Sequence, residues 1–468
     1  MAVQMDFMGG HDYYPGPLPL NPAEAIDTEV ANRYNRIFKM SRQRVQDFLA
    51  AVNAGRSVAE YTDILEWPTS AGSAYGPQAP FVDLNGNGVY EPRLGEYPEM
   101  LGDHMAWWVI NDRAAPHSVS GAAPIGVEVQ LRAFYFEVAD SSSPHFGRLY
   151  FRVNCFNRSD TDYPVFQTGL FSDIDAGFFN SNFLGSDSVL QFAYGYSVGT
   201  GFRLPTAVGY LPLRAALSGS TSHPPALSGM ISFYNDQSVI GIPREIDHYW
   251  NYLTGFWKDG SPLVDDRTGN GNGYMDLGET DVRPIRYPYP DPPFMERSTS
   301  DPLRYWSEVH TGNTPFDRKA CLNFSSTDFP AGSVYQLDIA VLWAFCPVDS
   351  SGAYTHVRNL LRRAKDTKDE YAATYRAYRP TKRVDPNSRH LAFYPNPTTD
   401  FVYFASLPAG HWEVAVYDAS GRRLQQFHQR LYHDQLLAVD LKPMRTGVYA
   451  VELRGPEGLH QFVRVMKH

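Results

Sequence analysis

Between residues 126 and 156 the chain twice alternates apolar and polar side chains over a long run. In "GVEVQLRAFYFEV", Val127, Val129, Leu131 and Ala133 interleave with Glu128, Gln130 and Arg132, and in "GRLYFRVNCF" Leu149, Phe151, Val153 and Cys155 repeat the device. A period of two belongs to a strand with one face on a core and the other in water. Comparable runs at 163–172, 188–198, 228–234, 318–325 and 334–346 follow with few helices between them, which predicts a mainly β protein built as an antiparallel β-sandwich. Tyr and Phe number 30 and 28 and Gly and Pro 37 and 35, so aromatic strands broken by turns are expected over long helices.

Two stretches break the strand pattern. From residue 41, "SRQRVQDFLAAVNAG" reads as a helix capped by Ser41, with Val45, Phe48, Leu49 and Val52 on one face and Gly55 as its stop. Near the end of the body, "THVRNLLRRAKDTKDEYAATYRAY" is amphipathic, with Val357, Leu360, Leu361, Ala364, Tyr371 and Tyr375 on the apolar side. The Pro-rich "RYPYPDPPFMERSTSDP" predicts a long surface loop, and the polar "RPTKRVDPNSRH" a linker. Beyond the linker, "FVYFASL", "HWEVAVYD", "QLLAVDL", "GVYAVEL" and "HQFVRVM" are strand-like and joined by "LPAG", "DASG" and "RTG" turns, the pattern of a second, smaller sandwich. The expected organisation is an extended segment and helix over 1–55, a β-rich body over 56–377, a linker over 378–392 and a small domain over 393–468.

A formal net charge of −10 argues against a nucleic-acid partner, which requires a concentrated basic surface. The basic cluster Arg358, Arg362, Arg363, Lys365 and Lys368 reads as the solvated face of the second helix. Cys155, Cys321 and Cys346 have no zinc-ligand spacing; Cys321 and Cys346 fall in strands, where a disulfide and buried free thiols are both open. No apolar run reaches the length of a membrane span, and "MAVQMDFMGGHDYYPGPLP" lacks the basic and apolar regions of a signal peptide.

Three segments carry oxygen ligands at suggestive spacing. In "FVDLNGNGVYEP" Asp83, Asn85, Asn87, the Val89 carbonyl and Glu91 take places one, three, five, seven and nine of a calcium loop, with Gly88 at the sixth. Leu94 stands at place twelve, so Glu96 or Asp103 has to complete the set. In "TGNGNGYMDLGE" Thr268, Asn270, Asn272, the Tyr274 carbonyl, Asp276 and Glu279 take places one to twelve, with Gly273 at the sixth. Asn-Gly repeats also make turns with no ion, but an acidic residue three after the glycine in both segments favours Ca2+, held weakly because each loop has few carboxylates. In "FSDIDAGFFNSNFLGSD", Asp173, Asp175 and Asp187 converge in one reading with Asn182; metal binding, turn capping and a carboxylate pair for sugar hydrolysis all stay open.

Four motifs near the C-terminus, "FYPNPTTDFVYF", "VYDASGRRL", "LKPMRTGVYAVEL" and "FVRVMKH", resemble the type A sorting domain of the type IX secretion system of Bacteroidota. The resemblance implies a small Ig-like β-sandwich that the secretion machinery reads as an export address, and which a surface sortase often removes. The body, through "DYYPGPL", "RIFKMS", "APFVDLNGNGVYEP", "GDHMAWWVINDR", "PIGVEVQLRAFYF" and "GFWKDG", resembles an uncharacterised family of large secreted surface proteins. That pattern usually has further sequence before "DYYPGPL", so residue 1 is expected to lie inside a longer precursor with its signal peptide upstream.

Common enzyme signatures are missing: no GxSxG elbow, HExxH, GxxxxGK or dinucleotide fingerprint occurs. His104, His117, His248 and His310 are scattered singly and read as local hydrogen-bonding groups. Trp107, Trp108, Trp250 and Trp257 read as core more readily than as sugar platforms. The expectation is a secreted or cell-surface structural, adhesive or filament-forming protein, calcium-stabilised and non-enzymatic, whose partners are the export machinery, further copies of itself or a surface glycan. The rival expectation is a secreted hydrolase of polysaccharide or protein.

Overall fold

The alternating runs become strands, and their pairing follows from which faces they bury. The computed structural model describes residues 12–138, 145–198, 205–217, 226–265, 271–275, 283–296, 305–345, 354–377, 392–394, 398, 400–405, 407, 410–418, 422–431, 437–456 and 460–467. The chain divides into two compact units, one of residues 1–80 with 98–378 and the other of 81–97 with 379–468. Strand makes up 41% and helix 17%, so the fold is mainly β, as expected. Residues 378–391, most of the expected linker, lie outside the described residues.

In the first unit a nine-stranded antiparallel sheet runs in the order Tyr14–Pro15, His104–Asn111, Val127–Tyr135, Arg148–Asn157, Val334–Phe345, Thr206–Leu217, Phe192–Ser197, Asn182–Asp187, with Phe38–Ser41 also paired to His104–Asn111. Register places Leu131 opposite Val153 and Val153 opposite Leu337, so apolar residues of successive strands fill one face. Against that face packs a three-stranded sheet with Arg318–Phe324 between Leu227–Tyr234 and Gly169–Asp173, and Leu227, Met230, Leu322 and Phe324 close a shared core. Truncating Leu322 in such a core costs about 2–5 kcal/mol. The opposite face carries the helix Thr355–Ala377, whose Val357, Leu360 and Ala364 pack with Tyr150, Phe192, Leu211 and Leu342.

The expectation of a wet face on Val127–Tyr135 is overturned. Glu128, Gln130 and Arg132 are all buried. Glu128 accepts the Leu18 N–H at 2.8 Å and the Arg158 guanidinium at 2.9 Å, Gln130 donates to the Pro77 carbonyl at 2.9 Å, and Arg132 donates to Glu99 at 2.5 Å. Residues from the N-terminal part of the chain fold over this polar row and satisfy it, and a buried polar row is tolerated when its members are paired. The Pro-rich stretch is likewise not a surface loop where it is described. Tyr289 is buried in the main core, Ser186 donates to the Pro288 carbonyl at 2.5 Å, and Tyr287 donates to the Leu227 carbonyl at 2.6 Å.

The helix expected from residue 41 spans Arg42–Asn53; Ser41 Oγ accepts the Arg44 N–H, and Val45, Phe48 and Ala51 are buried. Gly55 follows at φ 62°, a left-handed stop that glycine takes without steric cost. No helix among the described residues is long and apolar enough to cross a membrane.

In the second unit Phe401–Ala405 lies between Ala392–Tyr394 and Leu437–Asp440 in one sheet. A four-stranded sheet runs Arg423–Leu431, Gly410–Tyr417, Gly447–Arg454, His460–Lys467. Val402, Phe404, Trp412, Val414, Val451 and Val465 belong to a core made entirely from this segment of chain. Lys467 is buried, and its ammonium donates to the carbonyls of Leu441, Lys442 and Met444 at 2.7, 3.1 and 2.7 Å, which satisfies a charge the core could not otherwise hold. Glu452 receives hydrogen bonds from Tyr417, Arg454 and His460; these, Tyr417 foremost, hold its carboxyl down at about 2.

Candidate functional site

In the first calcium-like segment the side-chain oxygens turn back onto the loop's own N–H groups. Asp83 accepts the Gly86 and Gly88 N–H groups on its two oxygens, each at 2.7 Å, with both glycines at positive φ. Asn85 Oδ1 accepts the Asn87 N–H at 3.0 Å and Asn87 Oδ1 the Val89 N–H at 2.7 Å. Both amides then donate to one oxygen of Glu91, at 2.8 and 2.7 Å, so places three, five and nine meet, while Asp83 at place one holds the two glycine N–H groups of the same turn. A cation entering here competes with those hydrogen bonds for the same oxygens. Glu96 lies buried beneath the loop, accepting the Leu84 and Glu91 N–H groups at 3.1 and 2.6 Å; burial pushes its carboxyl up against the pull of those donors. Asp103, the other residue considered for completing the set, is instead engaged by Arg42 at 2.8 Å and by the Glu137 N–H at 3.0 Å.

Of the second segment, Thr268, Asn270, Asp276 and Glu279 lie outside the described residues. Its centre is held from inside. The Trp257 indole N–H donates to the Gly273 carbonyl at 3.0 Å and the Trp306 indole N–H to the Gly271 carbonyl at 3.4 Å, both rings being fully buried. Asn272 Oδ1 accepts the Tyr274 N–H at 2.8 Å. Gly273 is at φ 80°, a backbone conformation that favours glycine, and a Cβ there would stand 2.5 Å from Leu263 Cδ1, so the leucine would have to move as well.

The third segment splits. Asp173 ends the strand Gly169–Asp173, Ile174 turns into the core, and Asp175 faces outward again beside Asp173. Asp317 joins them because the next strand begins there: Lys319 lies opposite Asp173 in the register, and the three carboxylates present oxygens within 4.8 Å of one another. Lys319 binds Asp173 directly and stands 3.6 Å from Asp317, while Asn235 Nδ2 donates to Asp317 at 2.6 Å. Partial burial and then the charges of Asp173 and Asp317 push the Asp175 carboxyl up, against Lys319. Asp187 is not part of this group: it ends the strand Asn182–Asp187 and caps a turn through the Val189 and Leu190 N–H groups at 2.9 and 2.8 Å. Asn182 is likewise drawn away, donating to the Phe178 and Phe179 carbonyls.

Next to the acidic group, through the Asn235 bond to Asp317, lies a depression of about 330 Å³ walled by Tyr234, Asn235, Asp236, Asn313, Thr314 and Phe316. Arg318 lines it as well, its guanidinium bonded to Glu308 at 2.8 and 3.0 Å and seated 4.5 Å from the centre of the Tyr234 ring. Burial works against the Arg318 charge, but the facing Glu308 carboxylate outweighs it and holds the guanidinium above its ordinary value. Sequence reasoning missed Asp317 and this depression, because a non-local strand pairing builds both.

The remaining singled-out residues have local roles. His104 bonds Glu137, His117 the Asp112 carbonyl and His310 the Met295 carbonyl. Trp107 and Trp257 are core, whereas Trp250 is exposed. Cys155 and Cys321 are buried free thiols, and Cys346 lies outside the described residues. The basic helix face is partly packed, with Arg358 over the Phe294 ring at 3.8 Å and Lys368 donating to the Leu190 carbonyl at 2.9 Å.

The C-terminal core and its two sheets coincide with the stretch that carries the export resemblance. Residues 392–464 match the secretion system C-terminal sorting domain. A sorting domain of this kind implies a cargo of the type IX machinery and a secreted or cell-surface location. No curated protein sequence matches the chain. Among solved structures a polysaccharide lyase is similar over 73% of this chain and 34% of its own, at 9% identity and a TM-score of 0.19, a likeness too slight to carry activity across. The chain thus spans about a third of that lyase's length.

Proposed function

We propose that this protein is a surface-exposed structural or adhesive component, exported through its C-terminal domain and stiffened outside the cell by calcium, acting by binding rather than by catalysis. The observation that carries the reading is the sorting-domain match over residues 392–464, where the chain has an apolar core of its own. An address must be folded and presented while the cargo is handled, and a private core provides that. The partners on this reading are the type IX machinery, a surface sortase, further copies of the chain and surface glycans. The calcium role is supported by the meeting of Asn85, Asn87 and Glu91 in a turn that Asp83 caps, and by the acidic group Asp173, Asp175 and Asp317. Loops with so few carboxylates suit the weak affinity of extracellular modules, about 0.1–1 mM.

The test is a deletion of residues 392–468, expressed beside the full chain in a bacterium with an active type IX system. The full chain is expected at the surface or in the medium, and the truncated chain in the periplasm. Equal export of both would overturn the proposal.

A further inference from the structure

The depression beside the acidic group combines features that the export reading does not use. Its volume, about 330 Å³, is at the lower end for small-molecule sites. Its polar walls have spare hydrogen-bonding capacity. Asn235 spends its amide N–H on Asp317, leaving Oδ1 without a partner, and neither the Thr314 hydroxyl nor Asn313 Oδ1 is bonded among the described residues. Its apolar component is an exposed ring, Phe316, with 48% of its surface in water.

The backbone that bears that ring is tied to the core. The Phe316 N–H donates to the carbonyl of fully buried Asn182, whose side chain donates to the Phe178 and Phe179 carbonyls, each at 2.9 Å. Phe178 and Phe179 are themselves 54% and 48% exposed. One buried amide residue thus ties together two backbone segments that bear three exposed rings.

The charge around the depression narrows the occupant. Arg318 is neutralised by Glu308, so the wall offers no free cation to an anionic ligand. Asp236 lines it, Asp317 is bonded to its Asn235, and Asp173 and Asp175 lie beside Asp317, with Lys319 bound to Asp173. A carboxylate or phosphate ligand meets repulsion there. A wholly apolar ligand would strand the amides and the hydroxyl without partners.

We propose that this depression binds a neutral saccharide, one sugar face lying on Phe316 and the hydroxyls bonding to Asn235, Asn313 and Thr314. Sugar rings have the required combination, a face of C–H groups that packs on an aromatic ring and an edge of hydroxyls that both donate and accept. The site deepens the adhesive reading by naming a ligand class, and it rests on that reading for where the sugar would be met.

The experiment uses the purified full chain, titrated by saturation-transfer NMR with glucose, galactose, mannose, N-acetylglucosamine and glucuronate, each up to about 50 mM, since a shallow site gives millimolar affinity. At least one neutral sugar is expected to bind. Phe316→Ala and Thr314→Val should each weaken it about fivefold or more, and glucuronate should bind about fivefold more weakly than that neutral sugar, with the gap closing as salt rises. Both variants sit at exposed positions, and a thermal melt verifies that each is folded; if Phe316→Ala is not, the near-isosteric Thr314→Val decides. No response to any neutral sugar, equal binding by the variants, or a preference for glucuronate would overturn the proposal. So would binding of a lysine-rich peptide with no sugar response. Because binding is read on purified protein and export in cells, failure of one leaves the other standing.

Discussion

Replacing Arg318 with Met leaves Glu308, fully buried, facing an apolar thioether in place of a guanidinium. The Leu184 N–H at 2.8 Å and the Asn313 amide at 3.3 Å remain, both neutral donors. Losing one member of a buried ion pair costs about 3–5 kcal/mol if the other stays charged. Glu308 can escape part of that by taking a proton, at a cost of about 1.36 kcal/mol for each pH unit above its unfolded value near 4.3. The ionisation penalty is therefore capped at about 3.7 kcal/mol at pH 7 and about 1 kcal/mol at pH 5. The sign follows directly: burial already holds the Glu308 carboxyl above its unfolded value in the wild type, and loss of Arg318 raises it further, so the variant's stability is greatest below about pH 4.3 and falls as pH rises toward the new folded value. Urea unfolding followed by circular dichroism at pH 5 and 7 should show a wild-type-minus-variant difference larger at pH 7, by at most about 2–3 kcal/mol because the wild-type carboxyl is itself raised by burial. Adding Glu308→Gln to the variant should recover about half or more of the loss at pH 7. An equal loss at both pH values, or a double variant no more stable than the single one, would refute the assignment of Glu308 and Arg318 as a mutually dependent buried pair.

Two further outcomes are expected. Calcium should raise the Tm of the wild-type chain by about 2–4 °C at ten times its Kd, and Asp276→Ala should shrink that rise without changing the melt in chelator; an unchanged calcium-minus-chelator difference would exclude Asp276 as a ligand. Because the folded Glu452 carboxyl is depressed to about 2, its contribution is whole above about pH 4.5 and lost as pH falls toward 2, so Glu452→Gln should flatten the acid limb of the C-terminal unfolding transition, read by circular dichroism.

The period-two runs revealed Val127–Tyr135 and Arg148–Asn157 because core and cover differ in polarity along them. His104–Asn111 escaped notice since Met105, Trp107 and Val109 are interleaved with Ala106, Trp108 and Ile110, apolar residues that erase the alternation. Thr206–Leu217 carries Pro212, where the register shifts in a bulge, and proline within a run argues against a strand. At the first candidate site, Asn85, Asn87 and Glu91 meet through bonds spanning four to six residues, so their proximity depends on the local turn alone. Asp317 could not be foreseen, because only the pairing of Lys319 with Asp173 brings it to Asp175. Asp187 lies beyond Asp175 on a different strand, and strand direction carried it away.

The indole contacts on Gly271 and Gly273 give the molecule a built-in optical gauge. Trp257 and Trp306 are both shielded from water, and each ends on a carbonyl of the same short glycine bend. Emission from those two chromophores therefore depends on the electrostatic environment of that bend, so a shift of charge or backbone there becomes readable as a change in wavelength or intensity without any attached dye.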